Sequence, residues 1–200
     1  KTNRGNWKFS GDTATKFDNH VERSVPLYNE GHNLICDLSD FFIKDKSVVY
    51  EIGCSTGTLS IKLARHNKHK LKTSFVGIDI EPSMIKEAKK KLKKYPKLDC
   101  KFQVGDVSKL KLKKSDMIVC YYTIQFIPAS IRQAVINKLY KSLNWGGALL
   151  LFEKVRGPDA RFQDIATTLY TDYKLRKKYT AEDIVSKTSS LKGVLEPFHQ

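Results

Sequence analysis

Between residues 48 and 154, short apolar runs alternate five times with amphipathic stretches. The runs at 48–53, 73–80, 100–104, 116–122 and 148–154 have the length of buried strands. After the first, Leu59, Ile61, Leu63 and Ala64 recur at helical spacing to about Arg65. After the second, Pro82 stands near the first turn of a lysine-rich helix running to about Tyr95. A further helix is predicted from Ile131 to Leu143, stopped by Asn144-Trp145-Gly146-Gly147. Strands alternating with helices predict the α/β class, with a parallel sheet covered by helices on both faces. Upstream, residues 1–30 are polar, with Trp7 and Phe9 as apolar anchors. Pro26 breaks any helix there and sets Arg23 and Tyr28 near a bend. Leu34, Ile35, Leu38, Phe41 and Phe42 then mark one face of a helix. Downstream, Arg156-Gly157-Pro158-Asp159 is a loop, followed by one long helical region from Phe162 to about Ser190. The expected organisation is a segment and helix covering a pocket (1–45), a Rossmann-like core (46–155) and a helical lid or dimerisation segment (156–200).

The first strand carries the chemistry. It reads Val48-Val49-Tyr50-Glu51-Ile52 and turns through Gly53-Cys54-Ser55-Thr56-Gly57 into a helix. Glycines without a Cβ let a ligand lie against bare backbone, and the helix start offers unpaired N–H groups. The spacing is neither that of a dinucleotide loop nor that of a P-loop with its lysine. Glu51 beside the loop repels phosphate and suits a cation or an amine. Acids stand at three successive strand ends, Glu51, Asp79 and Asp106, which a parallel sheet brings to one edge. Asp79 is placed to accept from two ribose hydroxyls, and Asp106 from an adenine amino group, with Val107 covering the ring. Together with the loop, these acids point to a nucleoside ligand.

The chain has 200 residues and a net charge of +15, most of it lysine in 86–97 and 109–114. Such charge fits nucleic acid or a solvated helix face, and the lack of interleaved arginine and aromatic residues favours the latter. Cys36, Cys54, Cys100 and Cys120 have no paired spacing and read as reduced structural thiols of a cytoplasmic protein. His66 and His69, among lysines at a helix end, read as exposed loop, so no metal is expected. No run is long enough to span a membrane, and no signal peptide is visible.

The acid-x-Gly-x-x-x-Gly pattern resembles motif I of class I S-adenosylmethionine (AdoMet) dependent methyltransferases, whose Rossmann-like fold it implies. A narrower resemblance runs over essentially the whole chain. Trp7-x-Phe9, Phe17, Arg23-Ser24-Val25-Pro26-x-Tyr28, Gly53-Cys54-Ser55, Ile78-Asp79-x-x-Pro82, Thr123-x-Gln125-Phe126 and Glu153-Lys154 look like the carboxy-S-adenosyl-L-methionine synthase family. That resemblance implies AdoMet and prephenate as substrates, with carboxy-AdoMet and phenylpyruvate as products. It also implies service to tRNA wobble-uridine modification, for which an enzyme that only makes the cofactor need not touch tRNA, and a homodimer. A sulfonium acidifies its own methyl group, and the ylide can capture the carbon dioxide that prephenate gives up. By position, Tyr28, Gly53, Cys54, Ser55, Asp79, Ile80, Asp106 and Val107 would line the nucleoside pocket, with Glu51, Gly57 and Tyr121 beside them. Arg23 and Lys154 are candidate carboxylate partners on charge alone. Three departures stand out. Tyr121 replaces the family's asparagine after strand four, Leu27 replaces a glycine before the signature tyrosine, and the family's carboxylate-binding arginine belongs to a segment beyond Gln200. Class I methyltransferases end in two more strands, so the chain is expected to be a portion lacking them, or else to have a smaller sheet with an uncovered edge. Ordinary methyl transfer to tRNA or a small acceptor, and nucleoside binding without turnover, stay open as alternatives.

Overall fold

In a computed structural model, which describes Gly5 and residues 13–199, the apolar runs form one five-stranded sheet. Its strands are β1 (Val48–Ile52), β2 (Ser74–Asp79), β3 (Cys100–Val104), β4 (Ser115–Tyr121) and β5 (Leu143–Phe152), in the order β3-β2-β1-β4-β5. All four pairings are parallel. Among the described residues seven α-helices flank or precede it: α1 (Thr13–Ser24), α2 (Tyr28–Phe42), α3 (Thr58–His66), α4 (Pro82–Leu92), α5 (Ala129–Ser142), α6 (Ala160–Arg176) and α7 (Ala181–Leu191).

Both sheet faces are covered, which explains why the strands read as unbroken apolar runs rather than as alternation. On one face Val49, Phe75, Met117 and Val119 pack with Ile35 of α2, Leu63 of α3 and Ile85 of α4. On the other, Tyr50, Ile52, Ile78 and Ile118 pack with Val135 and Leu139 of α5. Met117, Ile118, Val119 and Cys120 are fully buried. The strand order reverses direction between β1 and β4, and an open parallel sheet has its crevice at such a point, beyond the carboxyl ends of the strands.

The departures from expectation have local causes. Residues 13–24 are helical, and Pro26 separates this α1 from α2 through Leu27, which stands in the left-handed region (φ 56°). Asp18 ties α1 to the core: its Oδ1 accepts from Thr56 Oγ1 (2.6 Å) and Thr58 Oγ1 (3.0 Å), and its carboxylate pairs with Lys91. The single helix expected over 162–190 is two helices, broken where Lys178 turns left-handed (φ 64°). Asp159 caps α6 by accepting from Phe162 N, and Thr180 with Asp183 forms a reciprocal capping box on α7. Strand β5 starts at Leu143 rather than Ala148, and 144–147 form an irregularity in its register with β4 instead of a loop. Trp7 and Phe9 lie outside the described residues.

At the sheet edge, a single bridge joins Val155 to Phe198, and no further strand pairs with β5 among the described residues. Arg132 fastens the last segment: its guanidinium donates to Ile127 O (3.0 Å) and Glu196 O (3.2 Å) and lies over the Phe198 ring. Lys86, Lys89, Lys90, Lys93 and Lys94 are exposed, in keeping with a solvated face. All four cysteines are buried with free thiols. Among the described residues no helix is long and apolar enough to cross a membrane.

Candidate functional site

The carboxyl ends of β1, β2, β4 and β5 open into a cavity of about 890 Å³, roofed by α1, α6 and α7. Its floor is the loop after β1. Gly53 N and Cys54 N donate to Ile78 O (2.7 and 3.0 Å), locking the loop onto β2. Gly53 has φ 70°, and a Cβ there would stand 2.3 Å from Thr123 Oγ1, so β1 and β4 meet at van der Waals distance only because this residue is glycine. Gly57 serves packing instead. A Cβ on it would lie 2.4 Å from the Phe102 ring, and the residue does not line the cavity.

The three acids converge as expected, in unlike states. Glu51 is 6% exposed and accepts a hydrogen bond from Ser60 Oγ. Burial, assisted by the neighbouring Asp79 charge, pushes its carboxyl up to about 8 against the pull of Ser60. It is therefore mostly protonated at neutral pH, and a cation beside it would draw the proton off. Asp79 accepts from Ser55 N (2.8 Å) on one oxygen and Glu81 N (2.9 Å) on the other. Burial raises its carboxyl, and those N–H groups oppose the rise. Each oxygen keeps a lone pair for a hydroxyl from the cavity. Asp106 is held below the usual carboxylate range by Ser108, whose N and Oγ donate to its Oδ1 (2.9 and 2.7 Å). Val107 is buried beside it, and Ile80, 61% exposed, stands on the cavity wall. Cys54, Ser55 and Tyr28 line the same space.

Tyr121 lines the cavity too, but its hydroxyl donates to Tyr28 O (2.8 Å), and its ring packs against Tyr28, His32 and Phe152. It braces α2 over the end of β4, where a smaller amide would leave a gap. Arg23 stands elsewhere. It is exposed, lies outside the cavity lining, donates to Lys177 O (2.7 Å) and stacks on Tyr179 (4.7 Å). It clamps α1 to the turn between α6 and α7. Lys154 does line the cavity, its ammonium 5.3 Å from the centre of the Tyr170 ring.

Residues that the sequence reading passed over complete the site. Glu153 accepts from the N–H groups of Thr123 (3.1 Å), Ile124 (2.7 Å) and Gln125 (3.1 Å), fixing the turn that follows β4. Gln125 Oε1 accepts from Lys154 N (2.9 Å), tying that turn to the end of β5. Both residues stand in quoted motifs, which was the available signal. Tyr170, Lys174 and Lys187 also line the cavity, and their helical spacing gave no sign of it.

A model of the methyltransferase domain matches residues 49–147. The carboxy-S-adenosyl-L-methionine synthase of Staphylococcus epidermidis is 34% identical over 192 residues, covering 96% of this chain and 82% of that protein. The chain belongs to the carboxy-S-adenosyl-L-methionine synthase family. A second such synthase, from Shewanella oneidensis, is 32% identical over 192 residues, covering 96% of this chain and 79% of its own length. Among solved structures, a candidate S-adenosyl-L-methionine-dependent methyltransferase of Methanococcus maripaludis superposes with TM-score 0.59 at 20% identity, covering 97% of this chain and 88% of that one. That likeness is to the fold. As a synthase-family member, the chain is an AdoMet-binding transferase with the Rossmann-like class I methyltransferase fold.

Proposed function

We propose that this protein is a carboxy-S-adenosyl-L-methionine synthase converting AdoMet and prephenate to carboxy-AdoMet and phenylpyruvate. The observation that carries the reading is near-full-length similarity to relatives named for that product. The atoms balance. Prephenate loses its ring carboxylate as carbon dioxide and its ring hydroxyl as hydroxide, a methyl C–H bond of AdoMet breaks, and a C–C bond to carbon dioxide forms. The hydroxide and the methyl proton leave as water.

In this reading AdoMet supplies the acidic methyl group, and the chain's own residues hold it in place. Asp79 accepts from the ribose, Asp106 accepts from the adenine amino group, and Val107 and Ile80 cover the ring. Glu51 faces the cationic part of the ligand, and Gly53, Cys54 and Ser55 form the floor. Support for this fit comes from the lone pairs left on Asp79 and from a buried Glu51 that gains stability as an anion only beside a cation. Tyr28 and Tyr121 close the pocket over the end of β4.

The reading extends to a cytoplasmic enzyme that supplies tRNA wobble-uridine modification. It also includes a homodimer, supported by Phe162, Ile165 and Leu169, which stand exposed along α6. The test is to incubate purified protein with AdoMet and prephenate. Loss of prephenate with phenylpyruvate appearing in step with AdoMet is expected. No prephenate consumption, or labelled methyl passing to an acceptor, overturns the proposal.

A further inference from the structure

The cavity is acidic at the nucleoside end and basic at the other, where α6 and α7 close over β5. Lys174 lies in the last turns of α6, is 5% exposed and lines the cavity. Its ammonium sits 4.6 Å from the centre of the Tyr170 ring. Lys154, at the end of β5, reaches the same ring. Lys187 of α7 lines the same end. Burial first and then Lys154 depress Lys174, burial first and then Lys174 bring Lys187 down to about 8, and burial first and then Arg156, which lines the same cavity, depress Lys154. Among the described residues, no ion pair joins Lys154 or Lys174 to a carboxylate. The adjacent Glu153 spends both oxygens on backbone N–H groups.

A lysine buried beside a second lysine, with no acid between them, costs stability that a structural ion-pair network would not cost. The wall that holds them is firmly built. Tyr170 donates to Ser24 O (2.9 Å), Tyr179 Oη bonds Ser24 Oγ (2.9 Å), and His20 contacts both Tyr179 and Lys187. Such a cluster suits an anion, and the aromatic ring beside both ammoniums suits one with a carbon skeleton.

We propose that Lys154 and Lys174, with Lys187 at the same end of the cavity, form the subsite for a small organic dicarboxylate whose carbon skeleton lies on the Tyr170 ring. The proposal deepens the reaction above by assigning the place of its acid co-substrate, and it rests on that reading only for the choice of prephenate as one probe. Two carboxylates match two ammoniums, and the position sets the acid across the cavity from the nucleoside residues.

The experiment is calorimetric titration of AdoMet-loaded protein with prephenate, malonate and inorganic phosphate. The wild type is compared with Lys154→Gln and Lys174→Met, alongside thermal unfolding and AdoMet affinity. Loss of a charge-assisted contact is expected to weaken prephenate and malonate by about tenfold or more in each variant. AdoMet affinity is expected to stay within about twofold, and the Tm of Lys174→Met to rise because a buried unpaired charge is gone. Unchanged dicarboxylate affinity in both variants, or phosphate binding as tightly as malonate, overturns the subsite. Failure of the proposed reaction is distinguishable: a protein that binds malonate through these lysines but leaves prephenate unconsumed keeps the subsite and loses the synthase reading.

Discussion

Replacing Glu51 by glutamine removes an ionisable group without changing shape, because Ser60 Oγ can still donate to the side-chain carbonyl. Burial raises the folded-state carboxyl from 4.5 to about 8, with Asp79 adding to the rise. A raised carboxyl means the folded state holds its proton longer than the unfolded chain, so stability is full below about 4.5 and is lost as pH rises through about 8. At pH 7 the unfolded chain has given up the proton and the folded chain has not. The gap of about 2.5 units, at about 1.4 kcal/mol each, is about 3 kcal/mol. Urea unfolding followed by circular dichroism should therefore give the two proteins equal stability near pH 4.5, with Glu51→Gln ahead by about 3 kcal/mol at pH 7. Taking the difference between wild type and variant cancels the titrating groups that do not interact with Glu51. The same variant should bind AdoMet about tenfold more weakly, because the anion that faces a cation is gone. A stability difference that does not change between pH 4.5 and pH 7, or a variant weaker than wild type at pH 7, would refute the reasoning.

Leu27 occupies a left-handed position with an exposed side chain, so Leu27→Gly relieves strain without opening the core and should raise stability by about 1 kcal/mol, read as a higher Tm. Gly53→Ala drives a Cβ into Thr123 at a positive φ, and should cost about 2 kcal/mol or more and abolish measurable AdoMet binding by calorimetry. Arg23→Ala loses the clamp on Lys177 O and the stacking on Tyr179; unfolding should show a loss of about 1 kcal/mol with the KM for prephenate unchanged, whereas a tenfold rise in KM at constant Tm would make Arg23 a substrate contact.

The sheet was legible because both of its faces are buried. Runs such as Met117-Ile118-Val119-Cys120 have no polar position to confuse the period. The crevice was legible for a related reason, since parallel strands must send Glu51, Asp79 and Asp106 to one edge. Helix breaks were harder to read. Nothing in Lys177-Lys178-Tyr179 announces a stop, and Lys178 turns left-handed although it is neither glycine nor asparagine. Residues 144–147 look like a helix stop because their glycines and asparagine belong equally to a strand irregularity. Within the site, Arg23 misled because a charge in a motif does not say where the side chain points, and its partners are carbonyls 154 residues away. Lys174 and Lys187 could not be told from solvated lysines, since helical spacing alone does not say which face is roofed over a cavity. Gly57 shared its motif with Gly53, yet its lack of a Cβ makes room for the Phe102 ring.

The most direct test of the central claim is mass spectrometry of the small molecule released from freshly purified protein after exposure to AdoMet and prephenate. The account predicts a species heavier than AdoMet by one carboxyl group, formed together with phenylpyruvate. Release of unchanged AdoMet, or of its demethylated product, with prephenate intact would contradict it.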